Sequence, residues 1–341
     1  MMKTRLKDVA QRVGVSPASV SNVLNGKGGV SGATATLIRS IAAEMGYSNG
    51  KNMALRKGYV RFVSFKRHGL VVMDTQFFAE IIEALENQCH QAGIKMMISS
   101  IHLGNDADYR DRVHEICQED SAGILLLATE MYSQDVELFS QTKAPLVVVD
   151  SLFHNQRFNC VMMDNYEAGY LATSHFIIKG HTRIEHIATT VRFNNMKYRR
   201  LGYEAAMADA NLNVLESFIW HVTPTLEGAY KDMLVLLDNF KGVLPTAFFA
   251  ANDIIAVGCL QALHERGYHV PEDVSIIGMD DLSICQVAKP TLSTIRVFRD
   301  DIARVAVQRL LDMMGDNCPR CILKTQVGVE LVERQSVKEI I

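Results

Sequence analysis

The chain has 341 residues, of which 48% are hydrophobic, and a formal net charge of −3. This length allows two or three domains with buried cores, and the chain has no apolar run of about 18 residues to span a membrane. The first residues, MMKTRLKDVA, lack the apolar centre of an export signal. Because the seven cysteines lie mostly in apolar segments, we expect buried thiols in the reducing cytoplasm and no membrane partner.

The charge is distributed unevenly along the chain. Residues 1–58 contain nine Lys and Arg but two acids, a net charge of +7, whereas the remainder has 26 basic and 36 acidic residues, a net charge of −10. A basic head on an acidic body indicates a polyanionic partner for the head. Charge alone leaves open the alternative of a solvated, charged N-terminus.

Three short helices are predicted in this head. The residues expected to begin and end them are Thr4 and Gly14, then Ser16 with Pro17, then Ser31 and Gly46. Apolar residues recur at helical spacing as Leu6, Val9, Ala10 and Val13, as Val20, Val23 and Leu24, and as Leu37, Ile38, Ile41, Ala42 and Met45. These three stripes can close one small core.

The second helix has an unusual opposite face. Ala18, Ser21, Asn22 and Asn25 recur at i, i+3, i+4 and i+7, where a solvated helix usually has Lys and Glu. Short hydrogen-bonding side chains allow close approach to another surface. Because residues 14–16 alone separate the first two helices, the pattern predicts a helix-turn-helix whose second helix enters the DNA major groove.

Two segments after this helix have other interpretations. GKGGVSG (26–32) resembles a phosphate-binding loop, but it follows a helix and lacks the terminal Gly-Lys-Ser/Thr, so nucleotide binding is not expected. The segment NGKNMALRKG (49–58) is basic, bounded by glycine and without an apolar stripe, which is typical of a linker.

The body alternates short apolar runs with amphipathic segments. Strands are predicted at 60–65, 94–99, 122–128, 144–150, 160–164, 246–251 and 274–280, and helices include 77–93 and 166–180. This alternation predicts parallel sheets covered on both faces. The body has about 275 residues, which is more than a domain built on a single sheet usually contains, so two α/β lobes are expected.

Polar residues stand where three of these strands end. Asp150, Asn252 and Asp280 lie at or just beyond strand ends, which is where open α/β sheets bind ligands. Carboxylates and an amide together suit sugar hydroxyl groups, which both donate and accept hydrogen bonds.

Other reactive residues give weaker patterns. Cys318 and Cys321 have zinc-site spacing without a second pair, and His175, His181 and His186 are irregularly spaced, so these histidines are expected to be solvated and no metal is predicted. No nucleophile elbow or dinucleotide fingerprint is present, and no catalytic residue or cofactor is predicted.

The residues of the head also resemble a known family. LKDVAQRVGVSPASVSNVLNG (6–26), followed by VSGATATLIRSIAAEMGY (30–47), closely resembles the headpiece of the lactose/galactose repressor family of bacterial transcription regulators. The resemblance implies that Pro17, Ala18 and Asn22 face base edges. Where this chain has Asn22 the family frequently has Arg, and Asn favours adenine whereas Arg favours guanine.

The resemblance also implies contacts to the DNA backbone and a hinge. The other residues it places at DNA are Leu6, Ser16, Ser21, Asn25, Val30, Ser31, Thr34 and Tyr47. In the family the linker becomes a short hinge helix on the operator, with a leucine in the minor groove. Leu55 fits that place, and a plain flexible linker is the alternative.

The body resembles the sensor of the same family, which is similar to periplasmic sugar-binding proteins. The matching segments are MDNYEAGYLATSHFIIKGH (163–181), RRLGYEAAM (199–207), AANDIIAVGCLQALHERGYHVPEDVSIIGMDD (250–281) and PTLSTIR (290–296). The implied fold is two lobes joined by three crossings, with a ligand between them. Arg199 matches an effector-contacting arginine, and Phe77 and Phe78 match a position where an aromatic ring packs on the ligand.

Together these patterns predict a small all-α helix-turn-helix headpiece (1–48), a linker (49–59) and a two-lobed, periplasmic-binding-protein-like (type I) sensor (60–341). The predicted function is a transcription regulator, acting as a repressor, that binds double-stranded operator DNA as a homodimer. A small-molecule effector, a sugar or related metabolite, modulates it. The alternative is a cytoplasmic α/β sugar-modifying enzyme with a basic, nucleic-acid-binding N-terminal extension, in which Asp280 and Asp281 supply acid-base chemistry.

Overall fold

The computed structural model describes residues 5–24, 30–45, 58–72, 76–104, 108–315 and 321–340. Several residues named above lie outside these ranges, namely Thr4, Asn25, Gly46, Tyr47, Leu55 and Cys318, together with segments 26–29 and 49–57.

The headpiece consists of α1 (Leu6–Val13), α2 (Pro17–Leu24) and α3 (Gly32–Glu44). The turn between α1 and α2 begins at Gly14, whose φ of 77° is the left-handed conformation that glycine favours. Ser16 Oγ accepts the backbone N–H of Ser19 at 3.0 Å, and Ser31 Oγ accepts that of Thr34 at 3.2 Å. The predicted helix-turn-helix and the caps of α2 and α3 are confirmed.

One small core closes the headpiece. Its buried members are Val9, Ala10, Val20, Val23, Ile38 and Ala42. Leu37, predicted on the same face, is 49% exposed, so that prediction is wrong. The buried stripe of α3 is centred on Ile38 and Ala42, and Leu37 lies about 100° around the helix from Ile38.

The body contains two six-stranded sheets, each defining a lobe. The N-lobe sheet has the order β11-β5-β4-β3-β1-β2, and its strands are β1 (Tyr59–Lys66), β2 (Lys95–His102), β3 (Gly123–Leu127), β4 (Leu146–Val149), β5 (Asn159–Met163) and β11 (Lys324–Val327). The C-lobe sheet has the order β12-β10-β9-β8-β6-β7, and its strands are β6 (Ile184–Thr189), β7 (Ile219–Val222), β8 (Ala247–Ala250), β9 (Ser275–Asp280), β10 (Ser293–Val297) and β12 (Val329–Val332).

All the strand pairs are parallel except β10 with β12. Each of the seven segments predicted as strands overlaps one of these strands. The helices of the body are α4 (Gln76–Gln91), α5 (Tyr109–Gln118), α6 (Ser133–Glu137), α7 (Asn165–Ile178), α8 (Asn194–Asp209), α9 (Leu226–Asn239), α10 (Asp253–Glu265), α11 (Ile284–Val287) and α12 (Arg299–Met314). Among the described residues, none of the helices combines the length and apolar character needed to cross a membrane.

The chain passes between the lobes three times. It crosses after β5 at Asp164, after β10 at Phe298, and between β11 and β12 at Gly328. The backbone N–H of Asp164 donates to the carbonyl oxygen of Val327 at 2.8 Å, which ties the first crossing to the third. The two-lobed fold with three crossings is therefore confirmed.

The three histidines expected to be solvated are buried, so that prediction is wrong. His181 bonds through its two ring nitrogens to Thr246 Oγ1 at 3.0 Å and to the carbonyl oxygen of Lys338 at 3.1 Å. His186 lies in β6 of a sheet covered on both faces, stacked on Phe249. Burial lowers the pKa of His186 to about 4, which keeps the ring neutral.

Candidate functional site

The six side chains predicted to contact an effector line one cavity between the lobes. They are Phe77, Phe78, Asp150, Arg199, Asn252 and Asp280. The two phenylalanines begin α4, and their rings meet edge to face with centroids 5.1 Å apart. Asp150 follows β4, Asn252 follows β8 and Asp280 ends β9. The cavity therefore forms where the carboxyl ends of the two parallel sheets face each other.

Arg199 is the central cation of this cavity and is 4% exposed. Its Nε donates to Asn165 Oδ1 at 2.9 Å, and its guanidinium also donates to the carbonyl oxygen of Ala251. Burial lowers its pKa, while the carboxylates of Asp280 and Asp150 act in the opposite direction. Because arginine stays charged in proteins, these acids supply the balancing negative charge.

Two glycines fix the position of Arg199. A Cβ at Gly169 in α7 would lie 2.0 Å from the carbonyl oxygen of Arg199, and one at Gly202 in α8 would lie 2.0 Å from that of Tyr166. These distances are far below van der Waals contact, so only glycine allows α7 and α8 to approach so closely. Arg199 is thereby held directly over the start of α7 at the first crossing.

Asp280 has an unsatisfied buried carboxylate oxygen. Its φ of 118° is rare for a residue with a side chain, and its Oδ1 has no hydrogen-bond partner among the residues that the structure describes. Burial raises the pKa of Asp280 to about 8, with Arg199 opposing the shift and Asp253 adding to it. Asp280 therefore takes up a proton more readily than an exposed aspartate, and a hydrogen-bond donor or cation that approaches it favours the ionised form.

Asp150 lies in a more polar environment than Asp280, with two side-chain hydrogen-bond donors. Thr129 Oγ1 donates to its carboxylate at 2.6 Å, and Asn195 Nδ2 donates to its Oδ1 at 3.3 Å. Burial raises the pKa of Asp150 to about 6, and the threonine hydroxyl and Arg199 limit the increase. Asp150 is therefore mostly ionised at pH 7 and can accept hydrogen bonds from a ligand.

Asn252 has a structural role as well as a position in the cavity. Its Oδ1 accepts the backbone N–H of Ile255 at 2.8 Å and so caps α10. With that oxygen engaged, its amide NH2 is the group suited to meet a ligand acceptor.

The structure adds residues that the sequence patterns missed. Asp253 is fully buried beside the cavity, where it accepts from Thr294 Oγ1 at 2.5 Å and from the backbone N–H of Leu282 at 2.9 Å. The lining residues not predicted are Val71, Thr129, Met163, Phe193, Asn195, Met196, Ile254 and Leu282. For Asp253 a signal existed, because it directly follows Asn252 at the same strand end. For Thr129 and Asn195 the contacts form only in the fold.

Glu130 organises the loop between β1 and α4. Glu130 is 1% exposed. Its two carboxylate oxygens accept hydrogen bonds of 2.8–3.1 Å from five backbone N–H groups, those of Arg67, His68, Gly69, Val71 and Val72. Burial alone would raise its pKa, but the backbone donors outweigh burial and lower it. The loop contributes Val71 to the cavity, and Glu130 directly follows Thr129, which bonds to Asp150.

Arg299 links the second crossing to the cavity. Its Nη1 donates to the carbonyl oxygen of Asp280 at 2.6 Å, and its Nε pairs with Glu80 of α4 at 2.7 Å. The guanidinium carbon lies 5.7 Å from the centroid of the Phe77 ring. One side chain thus joins both lobes at the edge of the cavity.

The other candidate site is the exposed face of α2. Pro17, Ala18 and Asn22, the residues predicted at base edges, are exposed, and Ser21 is half-buried on the same face. Ser16 and Ser31 are exposed at the helix starts that they cap, and Val30 and Thr34 are half-buried beside α3. Leu6 is half-buried and packs against the small core.

Comparisons with known proteins identify the family. A profile described as "Bacterial regulatory proteins, lacI family" matches residues 5–49, and one described as "Periplasmic binding protein-like domain" matches residues 173–337. The chain is 30% identical over 341 residues to the HTH-type transcriptional repressor PurR of Haemophilus influenzae, covering 98% of this chain and 99% of the relative. The protein of that name from Pasteurella multocida is 30% identical over 337 residues, with 98% of each chain covered.

The chain belongs to the lacI family of bacterial regulatory proteins. Similar solved structures show the same lacI-family fold. The transcriptional regulator CelR–cellobiose complex has a TM-score of 0.73 at 22% identity, covering 98% of this chain and 99% of that one. The lac repressor dimer bound to operator and the anti-inducer ONPF has a TM-score of 0.72 at 21% identity, covering 99% and 100%.

This lacI-family chain is a DNA-binding transcriptional repressor and not an enzyme. The alternative of a sugar-modifying enzyme with a basic extension is thereby set aside.

Replacing Glu130 tests its role in holding the loop between β1 and α4. Glu130→Gln substitutes an N–H donor for one acceptor oxygen, so backbone donors lose their partner, and we expect unfolding to become easier by about 2 kcal/mol or more at pH 7. Because folding lowers the pKa of Glu130, its contribution is present above the unfolded pKa and is lost as pH falls through the folded pKa. Urea titrations at pH 7 and pH 4 measure both effects.

The matched control is Glu83→Gln, since Glu83 is exposed on α4. We expect it to change the unfolding free energy by less than about 0.5 kcal/mol. Equal stabilities of the Glu130→Gln and Glu83→Gln variants would show that the five hydrogen bonds do not hold the loop.

Proposed function

We propose that this chain binds its operator as a homodimer through α2, and that a small molecule bound in the interlobe cavity modulates the binding. The observation that supports the proposal is the convergence of six side chains from separate chain segments on one cavity. The proposed boundaries are a headpiece at 1–48, a linker at 49–59 and a sensor at 60–341. In support, α3 ends at Glu44 and β1 begins at Tyr59.

The proposed reading surface consists of Pro17, Ala18 and Asn22. Their exposure on a helix that follows a tight turn suits entry into the major groove. An asparagine amide donates one hydrogen bond and accepts another, which matches the edge of adenine. The serine caps at the N-termini of α2 and α3 suit phosphate contacts, and in the proposed hinge Leu55 wedges the minor groove.

The proposed effector is a sugar or a related metabolite. Asp150 and Asp280 can accept hydrogen bonds, Asn252 and Arg199 can donate them, and the edge-to-face pair of Phe77 and Phe78 offers an apolar wall. A sugar ring matches all three, because its hydroxyl groups both donate and accept hydrogen bonds and its C–H face is apolar. The similar CelR protein is in complex with cellobiose, which supports the same class here.

Ligand entry requires the lobes to separate. The cavity offers about 20 Å³ to the centres of water molecules, enough for about one water, since one needs roughly 10–15 Å³ on this measure. A sugar therefore selects a more open arrangement, and it shifts operator affinity only by its different affinity for the two arrangements. The contacts of Arg299, which join the two lobes, are among those that such a change alters.

The proposed dimer surface includes the edge of the N-lobe sheet. Among the strands that the structure describes, β2 pairs with β1 alone, and its Met97 and Ile98 are 45% and 58% exposed. An exposed apolar sheet edge is prone to non-specific pairing. We therefore propose that a second copy of the chain covers the β2 edge. The similar lac repressor is a dimer on its operator.

Replacing Asn22 tests the reading surface. We expect Asn22→Ala to weaken binding to the selected operator by about 1–3 kcal/mol, because a base contact is lost, and to leave random DNA binding unchanged. Fluorescence anisotropy at fixed salt measures both. Gln11→Ala, which removes an exposed amide from α1, is the control and should alter neither. An equal loss on operator and random DNA would exclude Asn22 from base reading.

Replacing Asp280 tests the effector cavity. A panel of sugars screened by thermal shift supplies the ligand, and we expect Asp280→Asn to abolish its effect while operator affinity without ligand stays within about twofold. A ligand that donates to the carboxylate favours its ionised form, so wild-type affinity should rise with pH up to about 8. Arg199, Arg299, Asp150 and Asp253 also face this group.

The Asp280→Asn variant should lack that step near pH 8, although a step near pH 6 from Asp150 remains. Isothermal titration at several pH values shows both. A normal ligand response and an unchanged pH profile in the variant would remove Asp280 from the site.

Replacing Ile98 tests the dimer surface. Because burying a charge against an apolar partner is costly, Ile98→Asp should raise the dimer dissociation constant by at least about tenfold, which corresponds to 1.4 kcal/mol. Sedimentation velocity measures it. Val243→Asp, at a residue 74% exposed in the C-lobe, is the control. A dimer unaffected by Ile98→Asp would place the interface elsewhere.

A further inference from the structure

A second cavity lies beside the interlobe cavity. Phe193 and Met196 line both, so these two side chains form the wall between them. On the measure that gives about 20 Å³ for the first cavity, the second offers about 430 Å³, within the roughly 300–1,000 Å³ of small-molecule sites. It lies at the carboxyl ends of β6 and β7, where Thr189 and His221 face it, and Tyr132 of the N-lobe completes it.

The charge of this second cavity is positive. Arg192, Lys197 and Arg200 line it, and Glu216 is the one acid among its lining residues. Glu216 is already paired with Arg200 at 2.6 Å. Arg192 and Lys197 are exposed and form no ion pair within the described part of the chain. Two cations are therefore available for an anion that enters.

The start of α8 adds to this potential. Phe193 is the N-cap of α8 and offers no side-chain acceptor, and the first turn of the helix contains no acid. The first backbone N–H groups of α8 have no partner within the helix, and they lie at this cavity with the positive end of the helix dipole, since Phe193, Asn194 and Met196 line it.

The remaining walls are apolar and one is an aromatic ring. Val191, Phe193 and Met196 lie on the C-lobe side. Opposite them, the Tyr132 ring is fixed by the Arg67 guanidinium, whose carbon lies 4.1 Å from the ring centroid. A ring or carbon chain can pack between these walls while its anionic group meets Arg192 and Lys197.

We propose that this second cavity is a subsite for a phosphate monoester, and that the effector is accordingly a phosphorylated sugar or related phosphorylated metabolite. The inference rests on the proposed function of the interlobe cavity. In the open arrangement that ligand entry requires, the hydroxyl-bearing part of such a ligand binds Asp150 and Asp280, and its phosphate lies beyond Phe193 at the two cations. Guanidinium groups bind phosphate in paired hydrogen bonds, which favours phosphate over a hydroxyl group at this end.

Phenyl phosphate is the probe, because it joins an apolar ring to a phosphate. Titrated calorimetrically into the full chain at low salt, it should bind at least about tenfold more tightly than phenol. The double variant Arg192→Ala/Lys197→Ala should remove this difference, and it should not disturb folding, since both residues are exposed. Lys241→Ala/Lys289→Ala removes two exposed charges outside the cavity and should leave phenyl phosphate binding unchanged.

The outcomes separate this subsite from the proposed function. Equal binding of phenyl phosphate to wild type and to the Arg192→Ala/Lys197→Ala variant overturns the proposal, as does an equal loss in the control variant. Tighter binding of phenylacetate than of phenyl phosphate overturns the assignment to phosphate. The Asp280→Asn variant should retain the probe while losing the sugar response. A sugar that binds wild type no more weakly than its phosphate ester leaves the proposed function intact and overturns the subsite.

Discussion

The architecture of the sensor depends on one buried cation among three buried carboxylates. Arg199 is 4% exposed, and Asp150, Asp253 and Asp280 come from the ends of three different strands. Charge in a low-dielectric interior is stable only when it is matched, so the guanidinium constrains where both sheets end. The same arrangement leaves an unpaired oxygen on Asp280. The same ion cluster therefore stabilises the fold and leaves a hydrogen-bond acceptor free for a ligand.

Around this cluster, two sets of contacts connect the cavity aspartates Asp150 and Asp280 to α4 of the N-lobe. Thr129 bonds to Asp150, and its neighbour Glu130 gathers the loop that precedes α4. Arg299 bonds to the backbone of Asp280 and to Glu80 on that same helix. These contacts would connect a ligand at Asp150 or Asp280 to α4, one route from each lobe. The N-lobe edge proposed for dimerisation belongs to the sheet on which α4 packs.

The sequence predicted what depends on local rules. Asp150, Asn252 and Asp280 were found because parallel strands place their carboxyl ends at one edge, and the caps at Ser16 and Ser31 because a helix start needs an acceptor. What failed depends on three-dimensional packing. Nothing near His186 or Glu130 in the chain shows burial, and the partners of Glu130 are about sixty residues away. Leu37 belonged to a plausible stripe, and only the packing of α3 against α1 and α2 shows its exposed side.

The contact between α7 and α8 has a consequence for how this protein tolerates change. With Gly169 and Gly202 at the crossing, the backbones of the two helices touch, so neither can slide or tilt without the other. A rotation of α7 at the first crossing therefore also moves Arg199 on α8. Gly169 and Gly202 are not among the residues that line the interlobe cavity, and a survey of polar residues would not include them. In a saturation mutagenesis map they should nevertheless form two columns as intolerant as those of the ion cluster itself.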